Sequence, residues 1–458
     1  MSLRISVIGT GYLGATHAAC MAELGHEVIG VDIDQLKIDR LTRGELPFYE
    51  PDLQALLLKH VQTGRLRFTT SYEEIGSWAD VHFVGVGTPQ KSNGIGADLS
   101  YVEAAVTSLA QNITKNSLIV GKSTVPVGTA RRLRSLVLEK KNPNVDILLA
   151  WNPEFLREGF AVTDTLDPDR IVVGVDEPAA EMTLRQLYAN SLAREVPFIS
   201  TDFETAELVK VAANAFLATK ISFINAFSEI TELVGGDIRA LADAMGRDAR
   251  IGRRFLNAGV GFGGGCLPKD IRSLQSRVEE LGLVHLVRFL TEVDNINLRR
   301  RSKVLELAEE MLGSLSEKKI GVLGITFKPD SDDVRDSPAL EIAMRMSDAG
   351  AAISVYDPKG SKNASKIAPN FHFAETVTDC TTAADLVVLL TEWPEFCVLS
   401  PDDLQENVSA KNIIDARNVL NIRAWQESGW EIATLGNKFR SNTRKINQLE
   451  DPMSSVAN

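Results

Sequence analysis

The sequence predicts an α/β protein in which two doubly wound domains are joined by a long central helix and a helical middle region. Strand and helix patterns alternate towards both ends of the chain, as a parallel sheet covered on both faces requires. Between them lie an uninterrupted helical pattern at residues 201–234 and a glycine-rich loop at 259–265. We expect domains at residues 1–200, 201–315 and 316–440, followed by a flexible polar tail at 441–458.

The composition describes an ordinary globular protein and excludes several functional classes. The 458 residues carry a net charge of −12, whereas a nucleic-acid-binding protein needs a basic surface. No apolar run reaches the roughly 18 residues of a membrane span, and the strand pattern from Leu3 leaves no room for a signal peptide, so we expect a cytoplasmic protein. Four dispersed cysteines and six histidines without metal-ligand spacing predict neither a disulfide framework nor a metal site.

A dinucleotide-binding motif opens the chain. A strand at residues 3–8 is followed by Gly9-Thr10-Gly11-Tyr12-Leu13-Gly14 and a helical pattern, and the next strand, 28–31, ends in Asp32. This is the arrangement of a Rossmann-like domain, in which the glycines let a pyrophosphate approach the helix N-terminus and the acid binds the adenosine ribose. Because a carboxylate repels a 2′-phosphate, Asp32 favours NAD over NADP. A structural turn without a ligand is the alternative.

Two threonines follow later strands of the same predicted sheet. The strand at 80–86 leads to Thr88, and the strand at 117–121 leads to Thr124. Helices are predicted after them, at 100–112 and 129–140. Ligands of such sheets bind beyond the carboxyl ends of the strands, so we expect both threonines near a nicotinamide ribose. Their hydroxyl groups could instead cap the helices.

Two glutamates, Glu154 and Glu158, stand at the carboxyl end of a further strand predicted at 145–150. Residues four apart share one face if the segment is helical. Their position at the ligand-binding edge of the sheet favours a functional role, and solvated loop acids are the alternative.

The central helical pattern, 201–234, contains no proline, and Thr201 with Glu204 predicts a capping box at its start. A helix of about 30 residues spans about 45 Å, which is more than one small domain covers, so it should bridge domains and subunits. Lys210 and Asn214 project together from it. A lysine within an apolar face needs a partner or a function, unless its ammonium group reaches solvent.

The glycine-rich loop leads to Cys266, and Pro268 suits the first position of a helix. A cysteine at a positive helix end favours the thiolate, which predicts a nucleophile with Asp270 as its acid/base carboxylate. A buried, inert cysteine is the alternative. A further helical pattern follows at 286–312.

The second α/β region shows strand patterns at 320–323, 353–356, 386–390 and 412–415 and a helix at 338–348. Its first turn, 324–328, lacks the dinucleotide glycines, so it should bind another ligand. Phe327, Lys328, Arg335 and Arg417 offer an aromatic face and three cations, which suit a nucleoside diphosphate. Scattered surface cations are the alternative.

Taken together, these motifs resemble those of the UDP-glucose 6-dehydrogenase family, within the wider group of UDP-glucose and GDP-mannose dehydrogenases. The resemblance covers about residues 1–440. It rests on Gly9-x-Gly11-x-x-Gly14, Gly87-Thr88-Pro89, Ser123-Thr124-Val125-Pro126-x-Gly128-Thr129, Asn152-Pro153-Glu154-Phe155-Leu156-x-Glu158-Gly159, Lys210-x-x-x-Asn214, Gly261-Phe262-Gly263-Gly264-x-Cys266-x-x-Lys269-Asp270 and Phe327-Lys328 followed by Arg335.

The resemblance implies oxidation of UDP-glucose to UDP-glucuronate with two NAD, for use in polysaccharide biosynthesis. Cys266 would form a thiohemiacetal and then a thioester, which water releases. Lys210 and Asn214 would stabilise oxyanions, Asp270 and Thr124 would act in proton transfer through a water, and Glu154 would act in thioester hydrolysis.

The resemblance also implies the binding residues and the assembly. The residues implied for the coenzyme are Gly9, Gly11, Tyr12, Leu13, Gly14, Asp32, Lys37, Thr88, Thr124, Glu158 and Arg335. Those implied for the sugar nucleotide are Glu154, Phe155, Leu156, Lys210, Asn214, Arg250, Phe255, Gly263, Cys266, Phe327, Lys328 and Arg417, with Arg250 delivered from a partner subunit. A homodimer or higher homo-oligomer, formed through the middle region, is expected.

Three alternative functions remain open from the sequence. The same chemistry could act on GDP-mannose or a UDP-N-acetylhexosamine, although the intact Asn152–Leu156 segment argues against the latter. A two-electron β-hydroxyacid dehydrogenase would have no use for Cys266 or a second α/β domain. A catalytically silent NAD-binding protein would not need Cys266, Lys210 and Asp270 together.

Overall fold

The computed structural model describes residues 2–439, so the tail predicted at 441–458 lies outside the described residues. The chain forms two compact units. The first contains the residues up to Ala215 together with Lys269–Val287, and the second contains Phe216–Pro268 and the residues from Arg288 onwards. The predicted domain boundaries at 200, 315 and 440 stay predictions.

The first part of the chain alternates strands with helices. In order, its elements are β1 (Arg4–Ile8), α1 (Tyr12–Glu23), β2 (Glu27–Val31), α2 (Gln35–Thr42), α3 (Leu53–Gln62), β3 (Leu66–Thr69), α4 (Tyr72–Trp78), β4 (Val81–Val84), α5 (Ser100–Asn112), β5 (Ser117–Gly121), α6 (Thr129–Lys140), β6 (Ile147–Trp151), α7 (Ala161–Leu166), β7 (Ile171–Val175), α8 (Pro178–Leu187), α9 (Ala189–Leu192) and β8 (Phe198–Thr201).

The strands of the first unit form one sheet in the order β3-β2-β1-β4-β5-β6-β7-β8. Neighbouring strands are parallel except for β6 and β7. Successive residues of a strand point to opposite faces. Ile5 and Val7 therefore pack into one buried core and Ile8 into another, and helices cover both faces. The strand order reverses between β1 and β4, where doubly wound sheets bind their ligands.

The middle of the chain is helical. Its elements are α10 (Phe203–Val234), α11 (Ile238–Gly246), α12 (Leu267–Glu280) and α13 (Val284–Leu312). The 32 residues of α10 correspond to a length of about 48 Å. The glycine-rich loop lies directly before α12, so Pro268 is the second residue of that helix rather than the first.

The last part of the chain repeats the alternation. Its elements are β9 (Lys319–Leu323), α14 (Pro338–Asp348), β10 (Ala352–Tyr356), α15 (Ser361–Ala364), β11 (His372–Phe373), α16 (Val377–Thr381), β12 (Leu386–Leu389), α17 (Pro394–Cys397), α18 (Pro401–Leu404), β13 (Asn412–Asp415), α19 (Ile422–Glu427) and β14 (Glu431–Thr434). These strands form a parallel sheet in the order β11-β10-β9-β12-β13-β14, which repeats the order of the first six strands of the chain.

The predicted fold class is confirmed, with both doubly wound sheets and the long central helix in place. Several predicted bounds, such as those of α5, α6 and α14, are identical to those in the structure. None of the helices within residues 2–439 is long and apolar enough to span a membrane.

The predicted capping box at the start of α10 is wrong. Thr201 ends β8, and the helix begins at Phe203. The Asp202 carboxylate accepts hydrogen bonds from the Thr205 backbone N–H at 2.6 Å and from the Thr205 hydroxyl at 3.1 Å. Asp202 therefore caps the helix, because the strand before it already fixes the backbone of Thr201.

The capping assignment can be tested by substitution. Asp202→Ala should lower the melting temperature by a few degrees, because it leaves an N–H group at the start of α10 without its acceptor. Thr201→Ala is the matched control and should melt as the wild type does. Thermal unfolding followed by circular dichroism measures both. A larger fall in melting temperature for Thr201→Ala than for Asp202→Ala would support the predicted capping box instead.

Candidate active site

The glycines of the first turn make room for a dinucleotide in the first unit. Gly9 has a φ of +88°, and a Cβ atom there would lie 2.8 Å from Val86. A Cβ atom on Gly14 would clash with the Gly9 carbonyl oxygen, so this glycine permits close packing of α1 on the turn. Open space faces the Cα of Gly11, where a pyrophosphate can approach the start of α1. These residues fit a bound NAD.

Asp32 ends β2 beside this turn. Its Oδ2 accepts hydrogen bonds from the Thr10 N–H at 2.9 Å, the Thr10 hydroxyl at 3.0 Å and the Lys37 ammonium group at 2.9 Å. Burial works to raise the pKa of Asp32, but the hydrogen bonds from Lys37, Asp34 and Thr10 outweigh it and hold the pKa below its usual value. Asp32 is therefore ionised at neutral pH, as recognition of ribose hydroxyls requires.

Thr88 and Lys269 meet near the carboxyl ends of β4 and β5. The Thr88 hydroxyl donates to the Thr124 carbonyl oxygen at 2.9 Å, and the Lys269 ammonium group lies 3.2 Å from the Thr88 hydroxyl oxygen. Thr88 therefore links the two strand ends rather than capping a helix. Lys269 belongs to the motif before Asp270, but no local pattern predicts its contact with Thr88, 181 residues away.

Glu154 and Lys210 form a buried ion pair. The Lys210 Nζ lies 3.1 Å from Glu154 Oε1, and the two side chains are 6% and 11% exposed. Glu154 Oε2 accepts a hydrogen bond from the Leu156 N–H at 2.7 Å, and the Lys210 ammonium group lies over the Phe155 ring at 5.7 Å. Lys210 thus has a partner inside the protein and does not reach solvent.

The residues from Asn152 to Leu156 form a loop, so Glu154 and Glu158 do not share a helical face. The pKa of Tyr12 is raised by burial first, then by Glu50, with a smaller contribution from the charge of Glu158. The segment does not form a helix: Pro153 has no N–H group to donate, and the Leu156 N–H donates to the Glu154 side chain instead of a backbone carbonyl oxygen.

Asn214, one helical turn after Lys210 on α10, forms a second buried pair with Asp270 of α12. The Asn214 Nδ2 donates to Asp270 Oδ2 at 2.7 Å, and both residues are more than 90% buried. Asp270 Oδ1 lies 3.3 Å from the Lys269 ammonium group. One face of α10 therefore presents an ammonium group and an amide, each next to a carboxylate.

Two further buried charges of the first unit were missed by the sequence analysis. Lys122 donates to Asn152 Oδ1 at 3.2 Å, and burial lowers the pKa of Lys122 to about 8. Glu207 accepts hydrogen bonds from the N–H groups of Gly128 and Ala130 at the start of α6, and burial raises the pKa of Glu207 to about 7. Glu207 lies three residues before Lys210, so the helical spacing already indicated that the two side chains project from the same face of the predicted helix.

Buried asparagines shape the glycine-rich loop of the second unit. Asn225 Oδ1 accepts from the Gly259 N–H at 2.9 Å, and Asn297 exchanges two hydrogen bonds with the backbone of Phe262. Gly261 has a φ of +93°, and a Cβ atom there would clash with Asn297. This close approach explains why the loop needs glycine, and it could not be read from the loop sequence alone.

Cys266 follows this loop and directly precedes α12, as the sequence predicted. It is exposed, whereas Cys20 and Cys380 are at most 1% exposed. Cys266 is therefore not the buried cysteine of the alternative interpretation, and its reactivity stays a prediction. Asp270 lies in the first turn of the same helix.

The aromatic ring and two of the three cations predicted for a nucleoside diphosphate lie near one another in the second unit. The Arg417 guanidinium donates to the carbonyl oxygens of Leu390 at 2.6 Å and Phe327 at 3.2 Å. Lys328 lies over the Phe327 ring at 5.5 Å. The Phe327 ring also covers Gly264, where a Cβ atom would lie 2.8 Å away.

Three other predicted site residues lie on exposed segments of the second unit. Arg335 pairs with Asp333, and its backbone carbonyl oxygen accepts from the Gly264 N–H at 3.0 Å. Arg250 pairs with Asp248, and its side chain is 89% exposed. Phe255 has a φ of +66° and is 38% exposed.

The first turn of the second sheet differs from the first turn of the chain in the hydrogen-bond donors that reach its aspartate. Asp357 ends β10 and accepts hydrogen bonds from Thr326 N–H and hydroxyl, as Asp32 does from Thr10. Asp357 also accepts from Ile325 and Gly360 and is only 4% exposed. Its carboxylate is therefore occupied by the protein, which agrees with the expectation that this unit does not bind a dinucleotide.

Comparison with known proteins identifies three segments. Residues 3–192, 204–299 and 321–422 match the NAD-binding, central and UDP-binding domain models of the UDP-glucose/GDP-mannose dehydrogenase family. A UDP-glucose 6-dehydrogenase of Rhizobium meliloti (strain 1021) is 39% identical over 95% of this chain and 99% of its own length.

UDP-glucose 6-dehydrogenase YwqF of Bacillus subtilis (strain 168) is 40% identical over 95% of this chain and 98% of its own. The solved structure of a UDP-glucose dehydrogenase from Pyrobaculum islandicum has a TM-score of 0.86 and 36% identity, covering 93% of this chain and 96% of that one.

Selective alkylation tests the environment assigned to the cysteines. Brief treatment of the native protein with iodoacetamide at pH 7.5 should modify Cys266 and leave Cys20 and Cys380 unmodified. Burial raises the pKa of each buried thiol to about 12 and also blocks access to it. Peptide mass spectrometry locates the label. Modification of Cys20 or Cys380 as fast as Cys266 would contradict the assignment.

Proposed function

Because this chain belongs to the UDP-glucose/GDP-mannose dehydrogenase family, we propose that it oxidises the C6 alcohol of UDP-glucose to the carboxylate of UDP-glucuronate. The observation that carries the proposal is the polar face of α10, where Lys210 and Asn214 each contact a carboxylate inside the protein. The UDP-glucose 6-dehydrogenases that are 39% and 40% identical along nearly the whole chain support this substrate.

The proposed reaction removes four electrons in two steps. One UDP-glucose, two NAD and one water give UDP-glucuronate, two NADH and three protons. NAD, when bound, accepts the hydride in each step. An aldehyde has no second carbinol hydrogen until a nucleophile adds to it, so a covalent adduct is needed between the two steps.

Lys210 and Asn214 act on the oxygen of C6. In the proposed mechanism their N–H groups donate to this oxygen as negative charge develops on it. Their carboxylate neighbours, Glu154 and Asp270, keep the two donors in fixed orientations. Asp270 and Thr124 transfer the hydroxyl proton through a water molecule.

Cys266 provides the covalent step. Its thiolate attacks the aldehyde carbon and forms a thiohemiacetal, whose oxygen takes up a proton. Loss of the second hydride and of this proton gives a thioester. Water activated by Asp270 and Thr124, with Glu154 as the acid/base group for hydrolysis, then breaks the C–S bond and releases the acid. The exposure of Cys266 and its place directly before the helix of Asp270 support this role.

The coenzyme and the sugar nucleotide use different residues. Gly9, Gly11 and Gly14 admit the pyrophosphate, Asp32 and Lys37 lie at the ribose, and Glu158 is assigned to the nicotinamide side. The open space at Gly11 and the ionised state of Asp32 support this assignment. To the sugar nucleotide we assign, besides Glu154, Lys210, Asn214 and Cys266, the following residues: Phe155, Leu156, Arg250, Phe255, Gly263, Phe327, Lys328 and Arg417.

A homodimer or higher homo-oligomer is also proposed. The part of α10 in the second unit exposes Phe216, Phe223 and Ile230, which are seven residues apart and lie along one face, with Leu233 beside them. Their exposures of 66%, 43%, 51% and 79% form an apolar stripe that a second copy can cover. The cytoplasmic location stays a prediction.

The stoichiometry of NADH formation tests the proposed function. Complete conversion of UDP-glucose should give two NADH per sugar nucleotide, measured by absorbance at 340 nm. GDP-mannose and a UDP-N-acetylhexosamine are the comparison substrates and should turn over at least about 100-fold more slowly in kcat/KM. One NADH per substrate, or a preference for either comparison substrate, would contradict the proposal.

The covalent role of Cys266 can be tested separately. Cys266→Ser should lower kcat by several orders of magnitude, because the serine hydroxyl is a weaker nucleophile and an ester is harder to hydrolyse than a thioester. Intact-protein mass spectrometry should then detect a trapped sugar-nucleotide adduct. If no adduct accumulates, the released aldehyde should be detected in the solution. Cys397→Ser is the matched control and should keep wild-type turnover. Formation of the acid by Cys266→Ser at the wild-type rate would contradict the proposed thioester step.

A further inference from the structure

Glu50 is a buried carboxylate to which neither the sequence motifs nor the proposed reaction gives a role. It lies in the irregular segment between α2 and α3 and is only 4% exposed. Its Oε2 accepts hydrogen bonds from the Gly159 N–H at 2.7 Å and from the Tyr12 hydroxyl, and its Oε1 accepts from the Ala161 N–H at 2.7 Å. Three donors from two distant segments thus converge on one side chain.

These donors belong to two segments of the first unit. One is the coenzyme-binding turn, and the other directly follows the loop of Glu154 and Glu158. Tyr12 directly follows Gly11 in the coenzyme-binding turn and is the first residue of α1. Gly159 directly follows Glu158, and Ala161 is the first residue of α7. We propose that Glu50 is a positioning residue that fixes the loop of Glu154 and Glu158 to the coenzyme-binding turn through Tyr12.

The contact requires an ionised carboxylate and a protonated phenol. A carboxylate accepts at both oxygens and has no proton to donate, so it matches three converging donors. Burial and the hydrogen bond to Glu50 raise the pKa of Tyr12, so that its hydroxyl group stays a donor. The Tyr12 ring also packs against Phe48, with ring centroids 5.0 Å apart, which restricts the direction of the hydroxyl group.

Other contacts hold each loop separately. Asp32 binds the backbone of Thr10 at the start of the coenzyme turn. Asp164 binds Arg157 through its backbone N–H at 2.8 Å and its guanidinium at 2.7 Å. Glu50 differs from both because its carboxylate joins the two loops.

Coenzyme binding and the position of Glu154 should therefore depend on the same carboxylate. A shift of the coenzyme turn is transmitted through Tyr12 and Glu50 to the backbone at Gly159, and a shift of that loop is transmitted back. The effect on NAD binding follows from the first unit alone, whereas the effect on turnover also rests on the proposed oxidation of UDP-glucose.

A double-mutant cycle on NAD affinity tests the proposal. The dissociation constant of NAD is measured by calorimetry without sugar nucleotide for the wild type, Glu50→Gln, Tyr12→Phe and the double variant. Each single substitution should weaken binding by about threefold to tenfold, and the double variant should be no weaker than the weaker single one, because both remove the same contact. Glu45→Gln is the matched control, since this glutamate pairs with Arg43 on the surface, and it should bind NAD as the wild type does.

Turnover provides a second measurement that a purely structural role would not reproduce. Glu50→Gln should lower kcat for UDP-glucose several-fold more than Tyr12→Phe does at saturating NAD, because the tyrosine variant keeps the bonds to Gly159 and Ala161. Multiplicative losses of NAD affinity in the double variant, or a folded Glu50→Gln protein with wild-type affinity, would overturn the proposal. If Glu50→Gln does not fold, Tyr12→Phe with unchanged NAD affinity overturns it equally. If the wild type does not oxidise UDP-glucose, the proposed function is wrong. The double-mutant cycle on NAD affinity still tests the role of Glu50 in that case.

Discussion

Lys210, Glu207 and Asp270 are stable inside the first unit because each one meets an opposite charge or a set of backbone N–H groups. Transferring an isolated ion from water to the protein interior is very costly, and removing one member of a buried pair typically costs about 3–5 kcal/mol. Lys210 meets Glu154, Asp270 meets Asn214 and Lys269, and Glu207 meets the start of α6. This requirement fixes where α10 lies against the strand ends and the loops that follow them.

The same constraint explains why the polar groups proposed for catalysis are rigid. A donor that already contacts a buried carboxylate changes its orientation little when charge develops on a substrate oxygen, so little reorganisation is needed in the transition state. Glu50 and Asp32 act in a similar way at the coenzyme turn, where Glu50 accepts from the Tyr12 hydroxyl and Asp32 accepts from the Thr10 backbone N–H. Each carboxylate holds one side of the coenzyme turn through hydrogen bonds to Tyr12 or Thr10.

The two sheets show how one topology can receive different ligands. Both have the same strand order and an aspartate that binds a threonine of the first turn. Asp32 also accepts from Lys37 and Asp34, whereas Asp357 also accepts from Ile325 and Gly360. The second sheet thus repeats the threonine–aspartate contact without the dinucleotide glycines of the first turn.

Much of the architecture could be predicted because it depends on local patterns. Alternating strands and helices, the Gly9–Gly14 motif at the start of α1 and the proline-free run of α10 follow from short-range geometry, and several predicted bounds match the structure. The start of α10 was predicted incorrectly because a strand already held Thr201, so Asp202 became the cap. That competition between neighbouring elements is not visible in a capping motif.

The sequence by itself determined the fold class, the coenzyme motif and the choice of Cys266, Lys210 and Asp270 as candidate catalytic residues, because these depend on residue type and spacing. Only the tertiary structure decided which partners the buried groups have. Glu50 is 109 residues from Gly159, and Asn297 is 35 residues from Phe262, so no local pattern links them. Their contacts arise because burial leaves polar groups without water, and folding must bring hydrogen-bond partners from distant segments to replace it.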